Sequence, residues 1–234
     1  MKSNVKICGK EIPLLSIVLG LIFVLGSALR LTALTMNPMG MHQDEAFCAY
    51  QSWSIMNHGA DSYGNIRPVY YIAGMSILYS YLEMPFIALF GICTWAMRLP
   101  QAILGSLSIL AMYGLGKEMR GPKTGIAFAA LLAINPWHIQ QSRFALDANV
   151  AVAMLLFAVY FLCRYLNGKN KSIWGAAVFF GLTLYSYALT WIMVPLFLVL
   201  VVIFFRKRIR WNRSLVGAVL LLFLFAFLVA VLSF

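Results

Sequence analysis

Acid is the scarcest chemistry in this chain. Seven of its 234 residues are Asp or Glu, against eighteen Lys and Arg, and charged residues of both signs make up only 11%. Water-soluble domains are nearer a quarter charged, so this composition excludes one. Cysteine is sparse too. Cys8, Cys48, Cys93 and Cys163 are scattered and give no metal-ligand spacing. Apolar residues fill the space: 62% of the chain is hydrophobic, the mean hydropathy is +0.86, and apolar runs recur from Pro13 to Phe234. A helix of about 20 such residues spans a bilayer because it satisfies its own backbone groups. The sequence therefore reads as all-α, a polytopic membrane helical bundle. Its net charge of +11 sits in short basic clusters at the ends of apolar segments. That is the pattern of cytoplasmic anchors, not of a nucleic-acid-binding surface.

The clusters are Lys2/Lys6/Lys10, Lys117/Arg120/Lys123, Arg164/Lys169/Lys171 and Arg206/Lys207/Arg208/Arg210/Arg213. The apolar segments are 13–36, 69–92, 99–118, 124–140, 147–166, 172–190, 191–205 and 214–234. With every cluster on the cytoplasmic side, segment 13–36 leaves the cytoplasm as an uncleaved first span and 99–118 returns to it. Residues 37–98 then form one outer loop. Segment 69–92 lies at the interface or dips in and returns, as Glu83 and Pro85 in its middle favour. The alternative is that it spans and one cluster breaks the rule. The expectation is about seven transmembrane helices plus juxtamembrane helices in the loop, all in a single domain, 1–234. The turn between 172–190 and 191–205 is expected around Ala188 to Pro195. The chain stops at Phe234 without a closing loop, as the N-terminal part of a longer protein would.

This topology sorts the charges. All eight lysines fall inside; Arg30, Arg67, Arg98 and Arg143 fall outside with Asp44, Glu45, Asp61, Glu83 and Asp147. The stretch MHQDEAFCAY (41–50) places Asp44 and Glu45 side by side, opening a short helix that ends at Gly59. Asp44 as N-cap and Glu45 as a first-turn acid would account for both. An ionised Asp44 at a helix N-terminus is also what a general base requires. The stretch HGADSYGNIRPVYY (58–71) carries Asp61 among turn residues, and Arg67 at the membrane boundary. Its contacts are a phosphate, a lipid headgroup, or its own loop. The stretch NPWHIQQSRFALDAN (135–149) is broken by Pro136 and carries His138, Arg143 and Asp147. Arg143 and Asp147, four apart, would form an ion pair on one helix, or Arg143 would touch substrate. Cys48 and Cys93 share the outer side, where a disulfide is open to them.

Several stretches in order carry a resemblance: Gln43-Asp44-Glu45-Ala46, Arg67-Pro68-Val69-Tyr70-Tyr71, Arg98-Leu99-Pro100 with Gly105, the loop Gly116 to Gly121, and Asn135-Pro136-Trp137-His138 with Ser142-Arg143. This order resembles the membrane glycosyltransferases of the GT-C fold, most of all the protein O-mannosyltransferase and aminoarabinose-transferase branch. The resemblance covers about 40 to 190. The stretch at Pro68 lacks the His-Pro-Pro often seen there. The resemblance implies a sugar transferase with a polyprenyl-phosphate-linked donor and a hydroxyl acceptor. It implies Asp44 as base, with Glu45 orienting the acceptor or tuning Asp44. It implies Arg143 at the donor phosphate; Arg67, Asp61, His138 and Asp147, on the same side, are the further candidate substrate contacts. No cofactor is demanded by the spacing; a magnesium or manganese ion held by Asp44, Glu45 and Asp61 is compatible with oxygen ligands. The implied location is the plasma (inner) membrane, with the N-terminus cytoplasmic and the site on the outer face. A transporter or lipid flippase is the rival reading, but its acids would sit at midplane in broken or repeated helices.

Overall fold

The computed structural model describes every residue except 1–3, 8–9, 67, 69, 73–74 and 232–234. An antiparallel hairpin, β1 (Asn4–Ile7) and β2 (Lys10–Pro13), leads directly into α1 (Leu14–Leu31). Eighteen apolar-rich residues rise about 27 Å, close to the hydrocarbon thickness. A linker leads to α2 (Gln43–His58), which ends where its sequence predicts, on Gly59 in the left-handed region (φ 70°). The strands β3 (Tyr70–Ile72) and β4 (Met75–Ser76) pair antiparallel and precede α3 (Leu78–Phe90).

Segment 69–92 is thus not one helix. The expected interruption at Pro85 is displaced, because α3 continues through that proline. The chain bends instead at the β3–β4 hairpin and at Gly91 (φ 77°). Thirteen residues rise only about 20 Å, short of a crossing.

The remaining helices are α4 (Thr94–Arg120), α5 (Pro122–Ile134), α6 (Pro136–Gln141), α7 (Asp147–Leu166), α8 (Ser172–Ser186), α9 (Thr190–Phe205) and α10 (Arg213–Val231). Among the described residues, four helices, α1, α4, α7 and α10, are long and apolar enough to cross a membrane alone. The helix α5 is continued past its break at Asn135-Pro136 by α6, so that pair covers the expected segment 124–140. The turn between α8 and α9 falls at 187–189, and Pro195 lies inside α9 rather than at the turn.

Helix α4 is the hub, packed on α1, α5 and α7; α7 pairs with α8, and α8 with α10. Small residues set the close contacts. A Cβ at Gly116 would lie 2.8 Å from the Thr124 carbonyl, and one at Gly125 would lie 2.6 Å from the Tyr113 carbonyl. The α4–α5 backbones therefore touch, as interfaces of membrane helices do when side chains are absent. Large apolar side chains point away from the bundle, among them Leu21, Phe204 and Phe223, so the bilayer is their solvent.

The bundle has two chemically distinct ends. At one, the Tyr165 hydroxyl donates to the Arg210 carbonyl (2.7 Å), Asn167 Nδ2 donates to the Glu118 carbonyl (2.7 Å), and Lys169 pairs with Glu118. The basic turns at 117–123, 164–171 and 206–213 therefore meet at one end. Arg30, Arg98 and Arg143 gather at the other.

Candidate active site

The N-terminus of α2 is built around His42. Its Nδ1 accepts the Asp44 amide (3.2 Å), and its own amide donates to Glu45 Oε2 (3.0 Å), a capping box. The N-cap is therefore His42, not Asp44, which is the second residue of the helix. Because that Nδ1 accepts an N–H, it carries no proton there. Its approach of 3.5 Å to Asp44 Oδ2 is then no ion pair through that nitrogen. The Asp44 side chain is 46% exposed, and its carboxylate has no hydrogen bond among the described residues.

Its neighbour is the opposite case. Glu45 is 1% exposed and grips Arg98 with both oxygens, Nε to Oε1 at 2.9 Å and Nη2 to Oε2 at 2.8 Å. It also accepts the Ala145 amide at 2.8 Å. Burial pushes its carboxyl up, but the Arg98 bonds and the Ala145 and His42 amides outweigh that and hold it below the usual carboxylate range. Arg98, itself fully buried, sends its other protons to the carbonyls of Leu34, Pro38 and Gly40. This one pair ties α2, α4, the linker after α1 and the start of α7 into a single knot. Glu45 faces that knot rather than solvent.

The remaining acids of this end are likewise engaged. Asp61 Oδ1 accepts the Tyr63 and Asn65 amides and Oδ2 accepts Asn65 Nδ2, which closes its own loop. Asp147 Oδ2 accepts the Ser76 amide at 3.2 Å and Oδ1 the Ala148 amide at 2.7 Å, fastening β4 to α7. Glu83 is buried between α2 and α3, where Oε1 accepts the Ser52 hydroxyl at 2.6 Å and Oε2 is unpartnered among the described residues. Burial raises its pKa to about 8 against the lowering effect of Ser52, so it is protonated at neutral pH.

The arginines serve helix ends. All five Arg143 protons reach carbonyls at the end of α1 and beyond it: Nε to Asn37, Nη1 to Leu29 and Arg30, and Nη2 to Thr32 and Ala33, at 2.6–3.4 Å. Those of Leu29 and Arg30 are among the carbonyls that α1 leaves unsatisfied at its C-terminus, and the others belong to the linker beyond it. Arg143 and Asp147 make no ion pair among the described residues; Arg143 precedes α7, so the two do not share a helical face. Arg30 does the same for α5, donating to Leu132 and Ala133, and also to His138 Nδ1 at 3.0 Å. Arg67 lies outside the described residues.

Asp44, Ala145 and Asp147 come together at one end, since the Glu45–Ala145 bond docks α2 beside the start of α7 and Asp44 and Asp147 are within electrostatic reach. Asp44, Glu45 and Asp61 do not converge. Glu45 and Asp61 have their oxygens occupied, and no group of three His, Cys, Asp or Glu suited to a metal occurs among the described residues. The residues do not fit the ion that their types would allow. Cys48 is buried and Cys93 exposed, and both are free. The structural weight of Arg98 and Arg30 was not assigned from sequence. The signal was there, since an arginine entering an apolar span needs a buried partner.

A helical bundle with an acid-bearing first loop folded back over one end is the architecture of GT-C membrane glycosyltransferases. Within that class the chain belongs to the dolichyl-phosphate-mannose-protein mannosyltransferase family, whose pattern matches residues 75–233. The fold is similar to the oligosaccharyltransferase AglB of Archaeoglobus fulgidus in complex with an inhibitory peptide and a dolichol-phosphate (TM-score 0.71, 17% identity) and to its apo form (0.69, 18%). Each comparison covers 93% of this chain and 29% of the archaeal one. ArnT of Cupriavidus metallidurans bound to undecaprenyl phosphate matches with a TM-score of 0.65 at 17% identity, over 93% of this chain and 41% of its own. The chain thus spans well under half the length of these proteins. No curated protein matches it in sequence.

Proposed function

We propose that this chain carries the catalytic base of a membrane glycosyltransferase that moves a sugar from a polyprenyl-phosphate donor to a hydroxyl acceptor. The observation that carries this reading is the sorting of acids at the α2 end. Glu45, Asp61, Asp147 and Glu83 each have a partner within the fold, and Asp44 alone has an exposed carboxylate without a hydrogen bond among the described residues. Asp44 takes the acceptor's proton, the acceptor oxygen bonds to the anomeric carbon, and the bond from that carbon to the phosphate breaks. Polyprenyl phosphate leaves with the electron pair.

A cation beside the leaving phosphate would stabilise the transition state more than the donor. Among the described residues, Arg30, Arg98 and Arg143 are committed to carbonyls at this end. Arg143 and His138 support the site by fixing the ends of α1 and α5, Asp147 by holding the hairpin, and Glu45 by holding α2. The family description and the lipid phosphates bound by two similar proteins support the donor class. The basic end faces the cytoplasm by the positive-inside rule. The N-terminus is then cytoplasmic, and the site lies on the outer face of the plasma (inner) membrane.

The test is release of polyprenyl phosphate from a polyprenyl-phosphate sugar by membranes carrying the protein. Asp44→Asn lowers turnover ~100-fold or more while donor binding and expression persist. Near-normal transfer by that variant would sink the assignment.

A further inference from the structure

At the basic end, far from Asp44, a cavity opens between α4, α7 and α9. It has a volume of about 350 Å³. It exists because α9 has its main contact with α8 and stands off from α4. Its walls are apolar, with Leu162, Phe197 and Val201 among them, and Arg120 and Arg208 stand at its mouth. Neither guanidinium has a hydrogen bond or ion pair among the described residues, and both are exposed. The one acid at this mouth, Glu118, is already paired with Lys169, with Arg164 Nε at 3.8 Å. The mouth is therefore strongly positive over an apolar slot that faces the bilayer.

We propose that this cleft binds an anionic diacyl phospholipid of the adjoining leaflet. Its phosphate sits between Arg120 and Arg208 and an acyl chain lies along Leu162 and Phe197. The charge pattern selects the occupant. Both lipid classes present a phosphodiester that accepts hydrogen bonds, but a zwitterionic headgroup adds an ammonium that two free guanidinium groups repel, whereas an anionic lipid keeps a net negative charge to match them. A further helix would bring no acid to match them unless it carried one. Basic pockets between membrane helices hold anionic headgroups by this arrangement.

The probe is phosphatidylglycerol against phosphatidylcholine, with the full chain in nanodiscs of either lipid. Two readouts are used: lipid retained after detergent extraction, by native mass spectrometry, and maleimide alkylation of Cys163, which lines the cleft. Retained phosphatidylglycerol and slower alkylation in its presence are expected, with neither effect from phosphatidylcholine. The double variant R120E/R208E, altered only at exposed positions, weakens retention about thirtyfold or more, since losing each basic group alone is worth roughly fivefold and each glutamate adds repulsion. Leu162→Trp fills the slot with both charges kept and also abolishes retention. Equal retention of the two lipids overturns the proposal, as does unchanged retention by R120E/R208E. Preference for a polyprenyl phosphate, or a protein dimer that excludes lipid from the cleft, overturns it too.

Discussion

At the scale of single residues, two adjacent acids have opposite fates. Asp44 and Glu45 are neighbours in sequence, and types alone make them a pair. The helix turns them about 100° apart, so one meets solvent and the other meets Arg98. That acids would collect at this end was legible from charge sorting. Which acid stays free was not, because the deciding partners lie 53 and 100 positions away, at Arg98 and Ala145. Arg143 shows the same dependence on distant partners. A charge near the membrane surface reads as a site residue by default, and only the path of the backbone reveals the five carbonyls that its guanidinium reaches. The expected phenotypes separate the two acids. Glu45→Gln removes the charge that balances a buried guanidinium, and breaking such a pair costs about 3–5 kcal/mol. The variant should lose thermal stability in detergent and yield less folded protein. Arg98→Lys should do the same, because an ammonium cannot reproduce the bidentate fork. Per folded molecule, Glu45→Gln should retain more transfer than Asp44→Asn. A Glu45→Gln protein that melts like the parent would show that the knot does not hold the α2 end.

At the scale of elements, the boundaries marked by local chemistry were legible. Gly59 closes α2, Pro136 breaks α5 from α6, and the last turns of α4 and α7 carry the expected bases. Pro85 misled: α3 runs on through it to Phe90. Helix α3 is held on α2 through Glu83 rather than broken beside it. The Ser52 hydroxyl donates to Glu83 Oε1, and the Ser80 hydroxyl donates to the Cys48 carbonyl at 2.9 Å. This contact titrates. Glu83 has a folded pKa raised to about 8 from the ordinary 4.5, so the folded state holds a proton that the unfolded state releases first. Its stabilisation is full below about pH 4.5 and is lost as pH rises through about 8. Glu83→Gln mimics the protonated acid and should flatten that decline. Thermal melts of parent and variant across pH 5 to 9 decide it. Identical slopes would mean that Glu83 is already ionised in the fold.

At the scale of the whole molecule, the charges act as a coordinate system. The bundle brings three basic turns together at one end, and the acids apart from Glu118 and the hairpin's Glu11 to the other; that separation was readable because lipid forbids charge from settling between. The close packing was not readable. The α4–α5 contact depends on Gly116 meeting Gly125, and nothing in composition says which glycines meet. The absolute direction of the bundle in the membrane rests on those same charges, and the chain contains its own reporter. Cys93 is exposed, in the turn between α3 and α4, whereas Cys163 lies in the cleft at the basic end. If residues 37–98 form one outer loop, a chain retaining only Cys93 should react with a membrane-impermeant maleimide added to intact cells. A chain retaining only Cys163 should react only after the membrane is opened. The two cysteines report opposite ends, so an inverted bundle would exchange the two results rather than blur them. Labelling of Cys93 only from the cytoplasm would mean that α3 crosses despite its thirteen residues, or that the bundle is inverted. Cys163 would label from outside in both cases, and a single cysteine at Met39, exposed in the linker after α1, separates them: it labels from outside in the first and only from the cytoplasm in the second.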